Sequence, residues 1–374
     1  MPHYKFDQIA YNITDKKIPE PGDEKTYIGL EHLDSGSLKV TRWGNEVELK
    51  GQKLVMKKGD LLFGKRNTYL RRAAIAPHDG IFSAHGMIFR PKTEVIDPEY
   101  FPFFISSNYF MDAAIRISVG SLSPTVNWKT LKELEFDIPT LEEQKKNAEL
   151  LNAINDTKEA YQELLLKTDD LVKSQFIERI ENDKSIPKAK LRDLFDISSG
   201  GTPKRSKNEY WDGGKIPWVK ISDMKSMYLT ETEEFITELG LEKSSAKLYK
   251  AGTFLISIFA TLGRVSILDI DATTNQAIAG MVPKSDIDVE YTYIALNQLK
   301  DHILEIGRGA AQNNINLSIL KELVIPMPEE KIRREFSEFV QQSDKAKFEL
   351  QQAIESTDNL IKSILYSNLE ENKE

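Results

Sequence analysis

The 374-residue chain contains no cysteine, which excludes disulfides and thiolate metal sites and fits a reducing, cytoplasmic setting. It has no run of about 18 apolar residues, so no membrane span is expected. The opening Met1-Pro2-His3-Tyr4-Lys5 lacks the apolar core of a signal peptide. Histidine is scarce. His3, His32, His78, His85 and His302 include no pair at helical metal-ligand spacing; His78 and His85 read as surface or base-contacting side chains. No Gly-x-Ser-x-Gly elbow occurs, and no dinucleotide fingerprint follows a strand. The Asp/Asn-Pro-Pro-aromatic signature of amine methyltransferases is also missing. Gly59-x4-Gly64-Lys65-Arg66 ends in Arg where a phosphate-binding P-loop needs Ser or Thr for magnesium, and its interior Leu61-Leu62-Phe63 reads as a strand. No metal site, bound cofactor or catalysis by this chain alone is expected.

What the chain does have is a long internal repeat. Thr168-Asp169-Asp170-Leu171-Val172-Lys173-Ser174 recurs as Thr357-Asp358-Asn359-Leu360-Ile361-Lys362-Ser363, an offset of 189. The same offset relates Lys132-Glu133-Leu134 to Lys321-Glu322-Leu323, and Pro139 to Pro328. Upstream it drifts: Gly59-Asp60-Leu61-Leu62 pairs with Gly252-Thr253-Phe254-Leu255. A unit this long is no solenoid repeat and points to two similar domains in tandem.

The net charge of −8 looks wrong for a nucleic-acid binder, but its location changes that view. Residues 141–184 and 329–374 each hold 11 acidic and 7 basic side chains, so each is net −4 and together they carry the whole imbalance. Both segments read as long helices. Thr140 is placed to cap the first, and neither interior contains Gly or Pro. A helix over 141–181 would run roughly 60 Å. Each has one narrow apolar stripe, which wants a partner helix. The expected helix–helix interface is Ile154, Tyr161, Leu164, Leu165, Thr168, Leu171 and Val172 against Leu350, Ile354, Thr357, Leu360, Ile361 and Ile364. Thr168 and Thr357 interrupt the stripe. They are either tolerated small polar residues or a polar layer that fixes register. Antiparallel packing would put the attached globular domains at opposite ends of a rod.

Residues 1–140 and 185–328 carry short β-branched and aromatic runs broken by turn signals, with a polar linker over 182–190. The fold class is therefore α+β: two tandem α/β domains (1–140 and 185–328) separated by two long helices (141–184 and 329–374) packed as an antiparallel coiled coil, with approximate internal twofold symmetry.

Residues 50–72 concentrate eight cations against the single acid Asp60. Lys57, Lys58 and Lys65 suit phosphates; Arg66, Asn67, Tyr69, Arg71 and Arg72 interleave guanidinium, amide and aromatic groups suited to base edges. The alternative is a solvated basic loop. In the second domain, Lys204, Arg205 and Lys207 sit in a Gly/Pro turn before Tyr210-Trp211. Arg264 falls roughly where Lys65-Arg66 fall in the first domain. Arg308, Gln312, Asn313 and Asn314 occupy a Gly-rich stretch suited to adenine, or simply an Asn-rich turn.

Several segments together resemble the specificity subunits of type I restriction-modification systems, over essentially the whole chain. They are Leu191-Arg192-Asp193-Leu194-Phe195, Ser199-Gly200-Gly201-Thr202-Pro203, and Tyr210-Trp211-Asp212-Gly213-Gly214-Lys215-Ile216-Pro217-Trp218. Ile138-Pro139-Thr140-Leu141-Glu142-Glu143-Gln144 is similar to the family's entry into its conserved helix. Ile325-Pro326-Met327-Pro328-Glu329-Glu330 repeats that entry but lacks the Gln, and the first domain lacks the Ser-Gly-Gly-Thr-Pro turn. The resemblance implies two target recognition domains, each reading half of a bipartite site on double-stranded DNA. It implies helices that set the gap and dock two methyltransferase subunits, which bring S-adenosylmethionine. Motor-nuclease restriction subunits would bring ATP and magnesium. The specificity subunit itself is non-catalytic. The competing expectation from the residues is a protein-interaction scaffold, two sheet domains on a helical rod with no nucleic acid.

Overall fold

The computed structural model describes residues 1–44, 49–308 and 314–369, with Gly307 and Arg308 described by backbone only. The chain divides into two units, Met1–Glu163 with Leu350–Glu374, and Leu164–Glu349. Each unit thus owns one globular domain and part of each long helix.

In the first unit a four-stranded sheet runs Ala10–Ile13, Met87–Pro91, Leu61–Phe63, Ala73–Ile75 in spatial order. A second sheet runs Lys16–Lys17, Lys53–Met56, Gly80–Phe82, Tyr27–Ile28. The strand Leu61–Phe63 is buried throughout because it separates two cores. Leu61 and Phe63 face a cluster with Phe6, Phe89, Phe104, Phe110 and Phe136, while Leu62 faces Ile28, Met56 and Phe82. Successive side chains of a strand point to opposite faces, so one short apolar run serves both. The aromatic rings meet mainly edge to face at 5.0–6.1 Å between centroids, the arrangement their quadrupoles favour.

The second unit repeats this design. Its main sheet runs Phe195–Ser199, Ile278–Pro283, Phe254–Ser257, Val265–Leu268, Tyr228–Leu229. Phe254 and Ile256 face one core and Leu255 the other. The turns before the two central strands are built alike, with Gly59 at φ +88° and Gly252 at +87°, a region that favours glycine.

The start of each domain pairs with its end: His3–Lys5 with Glu135–Asp137, and Lys188–Lys190 with Val324–Pro326. In the first ladder the His3 ring lies 2.7 Å from Asp137 and 3.1 Å from Glu135. Hydrogen bonds to these carboxylates, Asp137 first, raise the imidazole pKa above its ordinary 6.5. Because the folded value is raised, the stabilisation is complete below about pH 6.5 and is lost as pH rises through the folded pKa. An NMR titration of His3 should therefore give a pKa above 6.5, and Asp137→Asn should lower it; an unchanged midpoint in the variant would show that the pair contributes nothing.

The first long helix spans Leu141–Phe176 and ends in a π turn over Ile177–Glu181; the second spans Glu330–Leu369. Thr140 caps the first: its hydroxyl accepts from Glu143 N, and its own N–H donates to the Glu143 carboxylate at 2.9 Å. Gln144 is fully buried. Its amide donates to the carbonyls of Pro139 (2.8 Å) and Val95 (3.1 Å), and its oxygen accepts from Asp97 N (2.7 Å). The second helix, which lacks that Gln, has Arg333 at the equivalent position. Its guanidinium donates to the Pro328 carbonyl (2.7 Å) and to Asp288 (2.6 Å). One docking task is met by two chemistries.

Within each unit the two helices run antiparallel. In the first, Ala148 and Leu151 share a core with Leu365 and Leu369, and Lys158 pairs with Asp358 at 2.6 Å. In the second, Phe176 packs on Phe336 and Lys347 reaches Asp169 at 3.0 Å. Residue numbers rise along one helix as they fall along the other. Of the expected interface, Ile154, Tyr161, Leu165, Thr168, Val172, Leu350, Ile354, Thr357, Ile361 and Ile364 are buried or half-buried. Leu164, Leu171 and Leu360 are about half exposed and lie off the pairing face. Each is next to an expected interface residue (Leu165, Val172, Ile361), and a helix turns about 100° per residue, so neighbours cannot both face one partner. The two threonines form no polar layer: Thr168 donates to the Leu164 carbonyl and Thr357 to that of Ile354, within their own helices.

Candidate nucleic-acid interface

The basic run of the first unit is not one patch. Lys57 and Lys58 form the exposed turn before the strand Leu61–Phe63, and Lys65–Arg72 form the loop after it. The strand holds the two groups apart at its opposite ends, and Asp60 between them is taken up by Arg90 at 2.5 Å.

The loop after the strand has a defined shape. Asn67 and Arg71 both adopt left-handed backbone, at φ 55° and 50°, around a single 3-10 turn, Thr68–Leu70. It is stitched to the loop at 119–125 by the Arg66–Thr125 bridge and by Asn67 N donating to the Pro124 carbonyl at 2.7 Å. Arg66 and Tyr69 project outward, and Arg66 reaches the Ser123 hydroxyl at 3.3 Å. Lys65 is half-buried; burial, and then the nearby Lys16, lower its pKa. Arg71 is occupied: it donates to Asn108 at 3.0 Å and pairs with Asp112. It therefore braces the loop against the helix Asn108–Arg116, and the base-reading role expected for it does not fit. Arg72 is half-buried, with a buried Nε that meets no acceptor, and Asn67 Oδ1 is likewise buried without a donor.

The second unit contains the same loop, one residue shorter, at Ser257–Arg264. Ala260 and Gly263 take the left-handed positions at φ 57° and 75°. Gly64 N donates to the Arg72 carbonyl and Ser257 N to that of Arg264, both at 2.9 Å. Phe259 bridges to Asn314 as Arg66 bridges to Thr125. Arg264 thus corresponds to Arg72, not to Lys65-Arg66, and the exposed Phe259 stands where Arg66 does. The drift in the repeat offset hid this, because an alignment without the one-residue gap slides the loops past each other.

Other expected contacts are engaged within the protein. The Arg205 guanidinium stacks on Trp211 and Trp218, at 3.7 and 4.7 Å from the ring centroids, and pairs with Glu234 at 2.5 Å. Lys207 pairs with Glu209 at 3.1 Å. Lys204 is exposed, and neither it nor Lys57, Lys58, Arg66, Arg72 or Arg264 has a carboxylate partner among the described residues. Gln312 and Asn313 lie outside the described residues, and of Arg308 only the helical backbone is described. The Gly200-Gly201 turn packs tightly against its own protein. Added Cβ atoms would overlap the Thr274 and Asn275 carbonyl oxygens at Gly200 and the Ser245-Ala246 backbone at Gly201. Trp218 Nε1 donates to the Gly201 carbonyl at 2.9 Å, so the motif is a packing joint.

Two equivalent loops with one backbone path and different exposed side chains suit reading two sequences. Residues 12–166 and 186–357 each match the type I restriction modification DNA specificity domain. The chain belongs to this family. It is 24% identical over 421 aligned positions to the type I restriction enzyme HindI specificity subunit of Haemophilus influenzae, covering 88% of this chain and 90% of that one. It is 31% identical over 144 positions to the MjaIX specificity subunit of Methanocaldococcus jannaschii, but that match covers 37% of this chain and only 33% of the relative. In fold it is similar to a chain from a type I restriction-modification assembly (TM-score 0.61, 18% identity, 98% and 97% of the two chains covered). The type I restriction-modification S subunit from M. genitalium gives TM-score 0.54 at 16% identity, with 97% and 95% covered. The sequence shows Gln144 at one helix entry and its loss at the other, but not that Arg333 takes over the docking task of Gln144. No helix among the described residues is long and apolar enough to cross a membrane, and no cluster of three or more metal-ligating side chains occurs among them.

Proposed function

We propose that this chain is the non-catalytic specificity subunit of a type I restriction-modification complex, and that each unit reads one half of a bipartite site on double-stranded DNA. The carrying observation is the pair of equivalent loops, in which Arg66 and Phe259 occupy one position on one backbone path. An exposed guanidinium suits a guanine edge, and an exposed ring suits a thymine methyl or a base face. The long acidic helices present the surface for two methyltransferase subunits, which supply S-adenosylmethionine; ATP and magnesium belong to the restriction subunits.

Mapping methylated adenines in DNA from cells that carry this chain and its methyltransferase partner should give two half-sites and a fixed gap. Arg66→Ala should relax the preference at one half-site by about 1–3 kcal/mol and leave the other unchanged. A randomised-site selection that enriches no sequence would sink the proposal, and is the outcome a protein-interaction scaffold gives.

A further inference from the structure

The second unit contains a cleft of about 370 Å³ whose three charged side chains, Lys225, Arg264 and Lys300, are all cationic. They come from three separate elements: the loop after the 3-10 turn Ile221–Asp223, the residue before the strand Val265–Leu268, and the helix Val289–Arg308. None has an ion-pair partner among the described residues. Asp223 and Glu233, close to Lys225 in sequence, are engaged elsewhere: Asp223 accepts from Lys220 N and the Thr232 hydroxyl, and Glu233 pairs with Lys220. Ser226, Thr261, Tyr293 and Asn297 complete the polar lining.

The cleft is built to hold its shape. Gly263 lets the loop approach the helix backbone; a Cβ there would lie 3.2 Å from Lys300 Cα and Cγ, on a residue already at φ +75°. Arg264 donates to the Ile221 carbonyl at 3.2 Å, and Ser266 to that of Ser226 at 2.8 Å. Three like charges converging without a counter-charge repel one another, and an anion relieves that repulsion. A cleft of the first unit is built differently. That cleft borders the corresponding loop and also the two long helices, and its Arg71 holds Asp112 and its Lys158 holds Asp358.

We propose that Lys225, Arg264 and Lys300 form a phosphate-binding cleft, and that the phosphate belongs to the DNA backbone of the half-site read by the second unit. This rests on the DNA-reading function proposed above. Lys225 and Lys300 lie outside the loop that carries Phe259, so they position the duplex without reading bases.

The test compares wild type with Lys225→Ala/Lys300→Ala, each as the full chain in complex with its methyltransferase partner. Binding is measured across a salt series to a duplex carrying the mapped site and to a scrambled duplex. The double variant should lose about 10-fold in affinity on both duplexes, and the slope of log affinity against log salt should become shallower by about 2. Lys225→Arg/Lys300→Arg should keep the wild-type slope, which separates lost charge from lost fold. A wild-type slope in the alanine variant, or a loss confined to the mapped site, overturns the inference. So does calorimetric binding of inorganic phosphate that the variant abolishes while its DNA slope is unchanged, because the cleft would then serve a free phosphate compound. A wild-type complex that does not distinguish the two duplexes defeats the sequence-reading proposal instead.

Discussion

Asp358→Ala should destabilise the first unit by about 3 kcal/mol, because it strands a buried lysine. Lys158 is 6% exposed, and among the described residues its ammonium meets two acceptors, Asp358 at 2.6 Å and the Gly36 carbonyl at 2.9 Å. Without the carboxylate the ammonium keeps one protein acceptor, the Gly36 carbonyl, at a largely shielded position. Lys158→Met/Asp358→Leu should recover most of the loss, since a well-packed apolar pair avoids the desolvation cost altogether. A double-mutant cycle on the urea midpoint decides it; an Asp358→Ala midpoint equal to wild type would show that the pair is surface decoration. This pair also gives the doubled heptapeptide's aspartate a partner in each copy. Asp169 and Asp358 are its second residues, and each receives the lysine of the facing helix, Lys347 or Lys158, themselves 189 apart. Lys347 is half-buried; burial works against its charge, but Asp344 at 2.6 Å and Asp169 at 3.0 Å outweigh it and raise its pKa. With two carboxylates at hand, Asp169→Ala should cost less than Asp358→Ala.

The second large effect is expected at Gly201. Its Cα faces the Ser245-Ala246 backbone so closely that a methyl group has no space, and backbone cannot swing aside as a side-chain end can. Gly201→Ala should cost about 3 kcal/mol by overpacking and change the indole environment of Trp218, whose Nε1 donates to the Gly201 carbonyl. Tryptophan fluorescence and the urea midpoint together read this out. A variant with wild-type stability and emission would mean that the turn is kept for contact with a ligand.

Much of the fold was legible because it follows from local rules. Thr140 at a capping position marks a helix start, and a 3–4 stripe without Gly or Pro marks a long helix in need of a partner. The site was legible only as composition. Charge density drew attention to residues 50–72, yet charge says nothing about pairing in space. Asp112 lies 41 positions from Arg71, and Glu234 lies 29 from Arg205. Lys225 and Lys300 stand alone in sequence, outside any basic run.

The sequence by itself determined the tandem repeat, the two long acidic helices, the α+β class and the family. These reside in spacing and pattern, which survive loop insertions. Tertiary structure decided which arginines are neutralised, that Arg264 answers to Arg72 and Phe259 to Arg66, and that Gln144 and Arg333 do one job. It also decided that the repeated heptapeptide owes its shared aspartate to a lysine on the facing helix. Each of these depends on which groups approach within hydrogen-bond distance across a fold. Ion pairing, burial and backbone register are set by that approach and leave no periodic trace along the chain.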